Sequence, residues 1–195
     1  MGMDIYGLNP TRNTAKTEIL IQYTNDEGLT EWDAVKADNK LDEYLAATNA
    51  WEEDNPGEYF RNNVWWWRPL WDYICTICHD ILDDEDCEEG HHNGGHQINE
   101  KKAIAIAGRI DLFIKNGDAA DFAIERQQTL DALEDEECQF CEGTGKRDDQ
   151  YVKGECNGCQ GKGTRRPYAT QYPFDLENLE WFGKFCKQSG GFEIC

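Results

Sequence analysis

Trp67-Arg68-Pro69-Leu70-Trp71-Asp72-Tyr73-Ile74-Cys75-Thr76-Ile77-Cys78-His79-Asp80-Ile81 is the stretch on which the fold turns. Its apolar positions Trp67, Leu70, Trp71, Ile74, Cys78 and Ile81 recur at i, i+3, i+4 and i+7. That spacing predicts an amphipathic helix with one buried stripe, and Pro69 suits its first turn. Working outward, an acidic and His/Gly loop over 83–97 leads to Asn99. Asn99 should cap a second helix bearing Ala103, Ile106, Ala107, Ile110 and Phe113 on one face, stopped at Asn116-Gly117. A third helix is expected from Asp118 to Leu133, carrying Phe122, Leu130 and Leu133. On the N-terminal side, residues 3–8 and 17–23 carry β-branched and aromatic character between turn signals, and both read as short strands. A helix is expected around Lys40 to Asn49, before the turn Asp54-Asn55-Pro56-Gly57. The tail 174–195 reads as one more short helix ending in Ser189-Gly190-Gly191-Phe192.

The expected fold class is α+β, with a few short N-terminal strands packed on three to four helices. A four-cysteine module over 138–166 interrupts a core domain made of 1–137 and 167–195. At 195 residues the chain can bury a real core. Seven Trp, eight Tyr and eight Phe make that core one of rings.

With 39 acidic against 19 basic residues the formal charge is -20. Such a surface repels the phosphates of nucleic acid and of anionic membranes, so general nucleic-acid binding is disfavoured. The acid is concentrated in Asp83-Asp84-Glu85-Asp86, Glu88-Glu89 and Glu134 to Glu137. These runs are either solvated loops and helix ends or a surface that docks on a basic partner or mimics nucleic acid. No run of eighteen apolar residues occurs, and the opening Met1-Gly2-Met3-Asp4-Ile5-Tyr6-Gly7 has neither a secretory nor a myristoylation pattern. The expectation is a cytoplasmic protein in which nine cysteines serve metal rather than disulfides.

The strongest motif is Cys138-Gln139-Phe140-Cys141-Glu142-Gly143-Thr144-Gly145, repeated as Cys156-Asn157-Gly158-Cys159-Gln160-Gly161-Lys162-Gly163. Two residues between cysteines let one tight turn aim both thiolates at a single ion. The glycines supply positive φ, which lets backbone N–H groups face the sulfurs. Cys138, Cys141, Cys156 and Cys159 should hold one structural zinc ion, closed to water and substrate because all four positions belong to protein. These residues resemble the cysteine-rich zinc region of the DnaJ co-chaperone family. The likeness covers only the module and two of the family's four repeats. No His-Pro-Asp tripeptide is present, so a co-chaperone role is not implied.

Cys75-Thr76-Ile77-Cys78-His79 has the spacing of covalent haem attachment, but it falls on the helical stripe, where packing explains both cysteines. A second metal site from Cys75, Cys78, Cys87 and one of His91, His92 or His96 is an alternative. Cys186 and Cys195 have no partner spacing and read as structural.

Tyr59 to Trp71 is dense in rings, arginine and asparagine. Arg61, Asn62, Asn63, Trp65, Trp66, Trp67 and Arg68 form either part of the core or, with His91 and His92, a pocket for a nucleotide-like ligand. Gly90-His91-His92-Asn93-Gly94-Gly95-His96 reads as a connector whose glycines could approach a ligand. No phosphate loop, nucleophile elbow or Cys-His nucleophile pattern is visible, so no catalytic residues are assigned.

The opening segment, Tyr59 to Trp71, Gly90 to Gly95 and Ser189 to Cys195 together look like a group of small bacteriophage proteins. The resemblance implies an infected bacterial cytoplasm but no established activity. The functional expectation is a non-enzymatic phage accessory protein, of counter-defence type, that binds a host component or a small nucleotide-like signal. An acidic module that inhibits a basic host protein and a nucleotide-acting enzyme using the His91 to His96 loop are the alternatives. Homo-oligomers are possible on either reading.

Overall fold

The computed structural model describes residues 2–195. In chain order the elements are β1 (Gly2–Gly7), α1 (Glu18–Gln22), α2 (Trp32–Ala37), α3 (Leu41–Asp54), β2 (Tyr59–Asn63), α4 (Val64–Ile77), α5 (Asp84–Glu89) and β3 (His96–Asn99). Then follow α6 (Glu100–Asn116), α7 (Asp118–Asp131), β4 (Glu136–Glu137), β5 (Lys146–Asp148), β6 (Lys153–Glu155) and β7 (Thr164–Arg165). A 3-10 turn (Tyr168–Gln171), α8 (Leu176–Gln188) and β8 (Gly191–Ile194) complete the chain. The class is α+β, with the cysteine module inserted ahead of α8.

A four-stranded antiparallel sheet, ordered β2-β1-β8-β3, organises the body. Alternation along each strand turns Met3, Ile5, Phe60, Ile98, Phe192 and Ile194 to one face, where α4, α6 and α8 cover them. The core is built on rings, as the composition suggests. Trp67 stacks on Trp71 at 5.3 Å, and Phe182 meets both edge-on. Each indole N–H is satisfied from α5 and its C-terminal end: Trp67 Nε1 donates to Gly90 O at 2.8 Å and Trp71 Nε1 to Cys87 O at 3.1 Å. Gly90 is held against Trp71 so closely that a Cβ there would stand 2.2 Å from the indole.

The helix predicted from Trp67 begins earlier, at Val64. Asn63 caps it by accepting from the amides of Trp65 and Trp66, so Pro69 lies inside the helix rather than in its first turn. The strand expected over 17–23 is a correction: it forms α1, because Leu20 and Tyr23, one helical turn apart, reach a small cluster with Val35 and Tyr44. The expected loop 83–97 contains α5, whose N-terminus is a capping box between Asp83 and Asp86. The tail forms α8 as expected, and then the strand β8. Gly190 (φ 63°) and Gly191 (φ 90°) reverse the chain so that β8 fills the middle of the sheet.

A disulfide joins Cys75 on α4 to Cys87 on α5, with Cα atoms 5.8 Å apart. This corrects the expectation that the cysteines avoid disulfides: α5 folds back against the end of α4 and brings the two within bonding reach. The alternative second metal site is not formed, since Cys75 and Cys87 pair with each other and Cys78 is buried in the core.

Candidate metal centre and the dispersed aromatic stretch

The module is built on a local pseudo-twofold. Gly163 O accepts from the Cys138 amide at 2.8 Å, and Gly145 O accepts from the Cys156 amide at 2.9 Å. Within each knuckle a backbone amide donates to sulfur at 3.3 Å, Gly145 N to Cys141 Sγ and Gly163 N to Cys159 Sγ. Gly145 (φ 72°) and Gly163 (φ 81°) are required twice over, since a Cβ on either would stand 2.3 Å from the carbonyl of Gly161 or Gly143. β4 pairs with β7 to close the stem, and β5 with β6 forms the arm between the knuckles.

The result is a buried cluster of Cys138, Cys141, Cys156 and Cys159. Their sulfurs all lie within 4.8 Å of one another, with 3.9 Å between Cys138 and Cys156 and 3.7 Å between Cys141 and Cys159. A tetrahedron with metal–sulfur bonds of about 2.3 Å has edges of about 3.8 Å, so the four thiolates fit one metal ion. Among the described residues this is the one cluster gathered closely enough to hold a metal. The thiols differ in their readiness to ionise. Burial opposes ionisation of Cys156, but the amides of Cys159 and Gly158 and the neighbouring thiols outweigh it, lowering its pKa to about 7. Burial leads the causes that raise Cys141 to about 11.

Phe140, at the turn of the first knuckle, lies over Gly158 of the second, where a Cβ would come within 2.4 Å of the ring. Arg147 and Arg165 flank the same ring at 5.7 and 5.6 Å. The module is tied to the body by Arg166, which donates to the carbonyls of Leu130, Asp131 and Leu133 at the end of α7.

The Arg-aromatic stretch is parted among several places. Trp67 belongs to the core, Asn63 caps α4, and Asn62 is buried with Nδ2 donating to Asn178 Oδ1 at 2.9 Å. Trp65 and Arg68 meet the 3-10 segment: Trp65 lies 5.2 Å from Tyr168 and 5.0 Å from Tyr172, while Arg68 Nη1 donates to the Tyr172 hydroxyl at 3.1 Å. Arg68 also lines a cavity of about 360 Å³ with Arg126 and Tyr172. Arg61, Asn62 and Trp66 line a different one of about 260 Å³, together with Trp181. His91 sits 3.1 Å from Asp72 Oδ1, and His92 is exposed.

The 90–96 connector is pinned at several points. His96 Nε2 lies 3.0 Å from the buried Asp86, which also accepts from Lys102, and Asn93 Nδ2 donates to Gly2 O at 2.8 Å. Sequence reasoning missed Tyr172, Trp181 and this Asp86 cluster. A signal existed for Trp181 alone: it falls off the Leu179, Phe182, Cys186 stripe of its helix, which marks it as an exposed ring. No helix among the described residues is long and apolar enough to cross a membrane. Comparison with family models, with curated proteins and with solved structures gave no match.

Proposed function

We propose that this chain is a non-enzymatic binding protein, braced by one structural zinc ion, that engages a host component through the surface around Arg61, Asn62 and Trp66. One observation carries the reading: the fold consumes Trp67 and Trp71 in its core yet leaves Trp66 and Trp181 facing one groove beside Arg61. Trp66 is half-buried and Trp181 exposed; an indole open to water costs free energy and is a typical anchor of protein interfaces. Zinc is the ion that four thiolates in a tetrahedron favour, and with every corner held by protein its role is to fold the module. The charge of -20 supports a basic protein partner. The resemblance to small bacteriophage proteins supports an infected bacterial cytoplasm as the setting.

A small nucleotide-like signal is the second reading, favoured by the cavity that Arg68, Arg126 and Tyr172 share. Affinity capture from infected cells at low and high salt, paired with native mass spectrometry, tests both. A host protein retained at low salt and lost in the Trp66→Ala, Trp181→Ala double variant supports the first. A retained small molecule lost in Arg68→Ala supports the second. Neither being retained sinks the binding reading.

A further inference from the structure

β2 is an edge strand. Along β1 the backbone bonds alternate: Asp4 and Leu8 donate toward β8, to Cys195 O at 2.9 Å and Gly191 O at 2.8 Å, whereas Gly7 donates toward β2, to Glu58 O at 3.1 Å. Phe60 stands opposite Ile5 and Asn62 opposite Met3, so these β2 residues share the inward-bonding phase of Glu58. Tyr59 and Arg61 therefore turn their N–H and C=O groups outward from the sheet. The next amide is closed off, because Asn63 N donates to the side chain of Asn62 at 3.0 Å. Two residues of open ladder remain, the device by which extended peptides add to a sheet.

Two grooves lie beside this edge, and Trp181 borders both. One, of about 260 Å³, has Trp66, Asp175 and Glu177 in its walls. The other, of about 540 Å³, has Glu52 and Glu53 from the end of α3. Trp181 is 54% exposed. Against these four carboxylates the grooves hold two cationic side chains, Arg61 and Lys184.

We propose that the open edge of β2 takes up an extended, lysine- or arginine-bearing segment of a partner protein as a fifth strand of the sheet. Its alternate side chains drop into the two grooves, where the cations lie over Trp181 and Trp66 and pair with Glu52, Glu53 and Glu177. Alternation of side chains along an added strand matches two grooves set in sequence along the edge. A cation over an indole is favoured, more so where carboxylates stand nearby. Glu52 fits this occupant: it is partly buried, its pKa is raised by that burial, and it forms no ion pair among the described residues. An incoming cation would supply its missing partner. The inference rests on the protein-binding reading and names the partner's conformation and charge.

The test uses the full-length, metal-loaded protein and a short synthetic peptide alternating lysine and valine, with a glutamate/valine peptide and a proline-interrupted lysine peptide as comparisons. The expected result is binding of the first peptide alone, with slowed hydrogen exchange at the amides of Tyr59 and Arg61. Arg61→Pro, which removes an outward N–H, should bind about fivefold or more weakly than Arg61→Thr, which keeps it. Trp181→Ala should weaken binding by about tenfold. Binding that leaves the Tyr59 and Arg61 amides unprotected, or binding of the proline-interrupted peptide equal to that of the first, overturns the strand-addition geometry. The exchange measurement on the unaltered protein decides the matter even if Arg61→Pro fails to fold. Absence of peptide binding together with capture of a salt-sensitive host partner overturns this inference alone and leaves the broader reading intact.

Discussion

Removal of the metal should unfold the cysteine module and spare the body. The four cysteines are the buried cluster of the module, and among the described residues no other buried apolar side chain joins them; Phe140, which lies over Gly158, is 56% exposed. Binding of a structural zinc contributes about 10–16 kcal/mol in small four-ligand modules, and an isolated segment of this size has no other source of comparable magnitude. The body keeps its separate core around Trp67, Trp71, Phe182 and Phe192. The assay is hydrogen exchange after chelation, with metal content read by native mass spectrometry. Before chelation one ion per chain is expected. After it, the amides of Cys138, Cys156, Gly145 and Gly163, which bond within or between the two knuckles, should exchange at unfolded-chain rates. Amides of α6 should stay protected. Protection of the knuckle amides in protein shown to be metal-free would refute the reasoning, as would two ions per chain. Acidification should mimic chelation, because protons compete with the metal for the thiolates.

Gly145→Ala or Gly163→Ala should abolish metal retention, since each added Cβ would strike a carbonyl at 2.3 Å; retention at the unaltered stoichiometry would count against the pseudo-twofold geometry. Gly90→Ala should destabilise the body by about 1–3 kcal/mol or more through its clash with Trp71, measured by urea denaturation. Cys87→Ser should lower the stability of the oxidised protein by about 3 kcal/mol, given a separation of 12 residues between the bridged cysteines. Tyr73→Phe should leave stability unchanged or raise it by up to about 1 kcal/mol, because its buried hydroxyl has no partner; a clear loss would reveal one. Asp83 is held below the ordinary carboxylate range by the Asp86 amide and by Lys102, and Asp80 by Arg109. A lowered pKa stabilises the folded state above the ordinary value, and that contribution fades as pH falls through the folded value. The stability difference between the native protein and Asp80→Asn should therefore shrink toward acid pH.

Where local period and tertiary burial agree, the sequence was enough. The stripes of α4 and α6 follow from side chains one helical turn apart, the Asn99 cap from a side chain that accepts from the Lys102 amide, and the Gly117 stop from a positive φ that glycine adopts without strain. The four-cysteine cluster was legible for a similar reason: each knuckle is closed by residues within a few positions of one another, so its spacing carries its geometry. Elsewhere distant partners decided the outcome. Residues 17–23 have strand-like composition but became α1, because Val35 and Tyr44 offered a pocket to Leu20 and Tyr23. The tail strand β8 exists because β1 and β3, far away in sequence, leave a place between them. Cys75 and Cys87 are a pair only because α5 folds back on α4.

The sequence by itself determined the α+β class, the aromatic core and the four cysteines that can hold a metal, since each depends on short-range spacing or on composition. Only the tertiary structure decided how Tyr59 to Trp71 divides between core, helix cap and surface. A strand-to-helix junction sends adjacent side chains in different directions, and which neighbours they then meet is fixed by α3, α8 and the segment after the cysteine module.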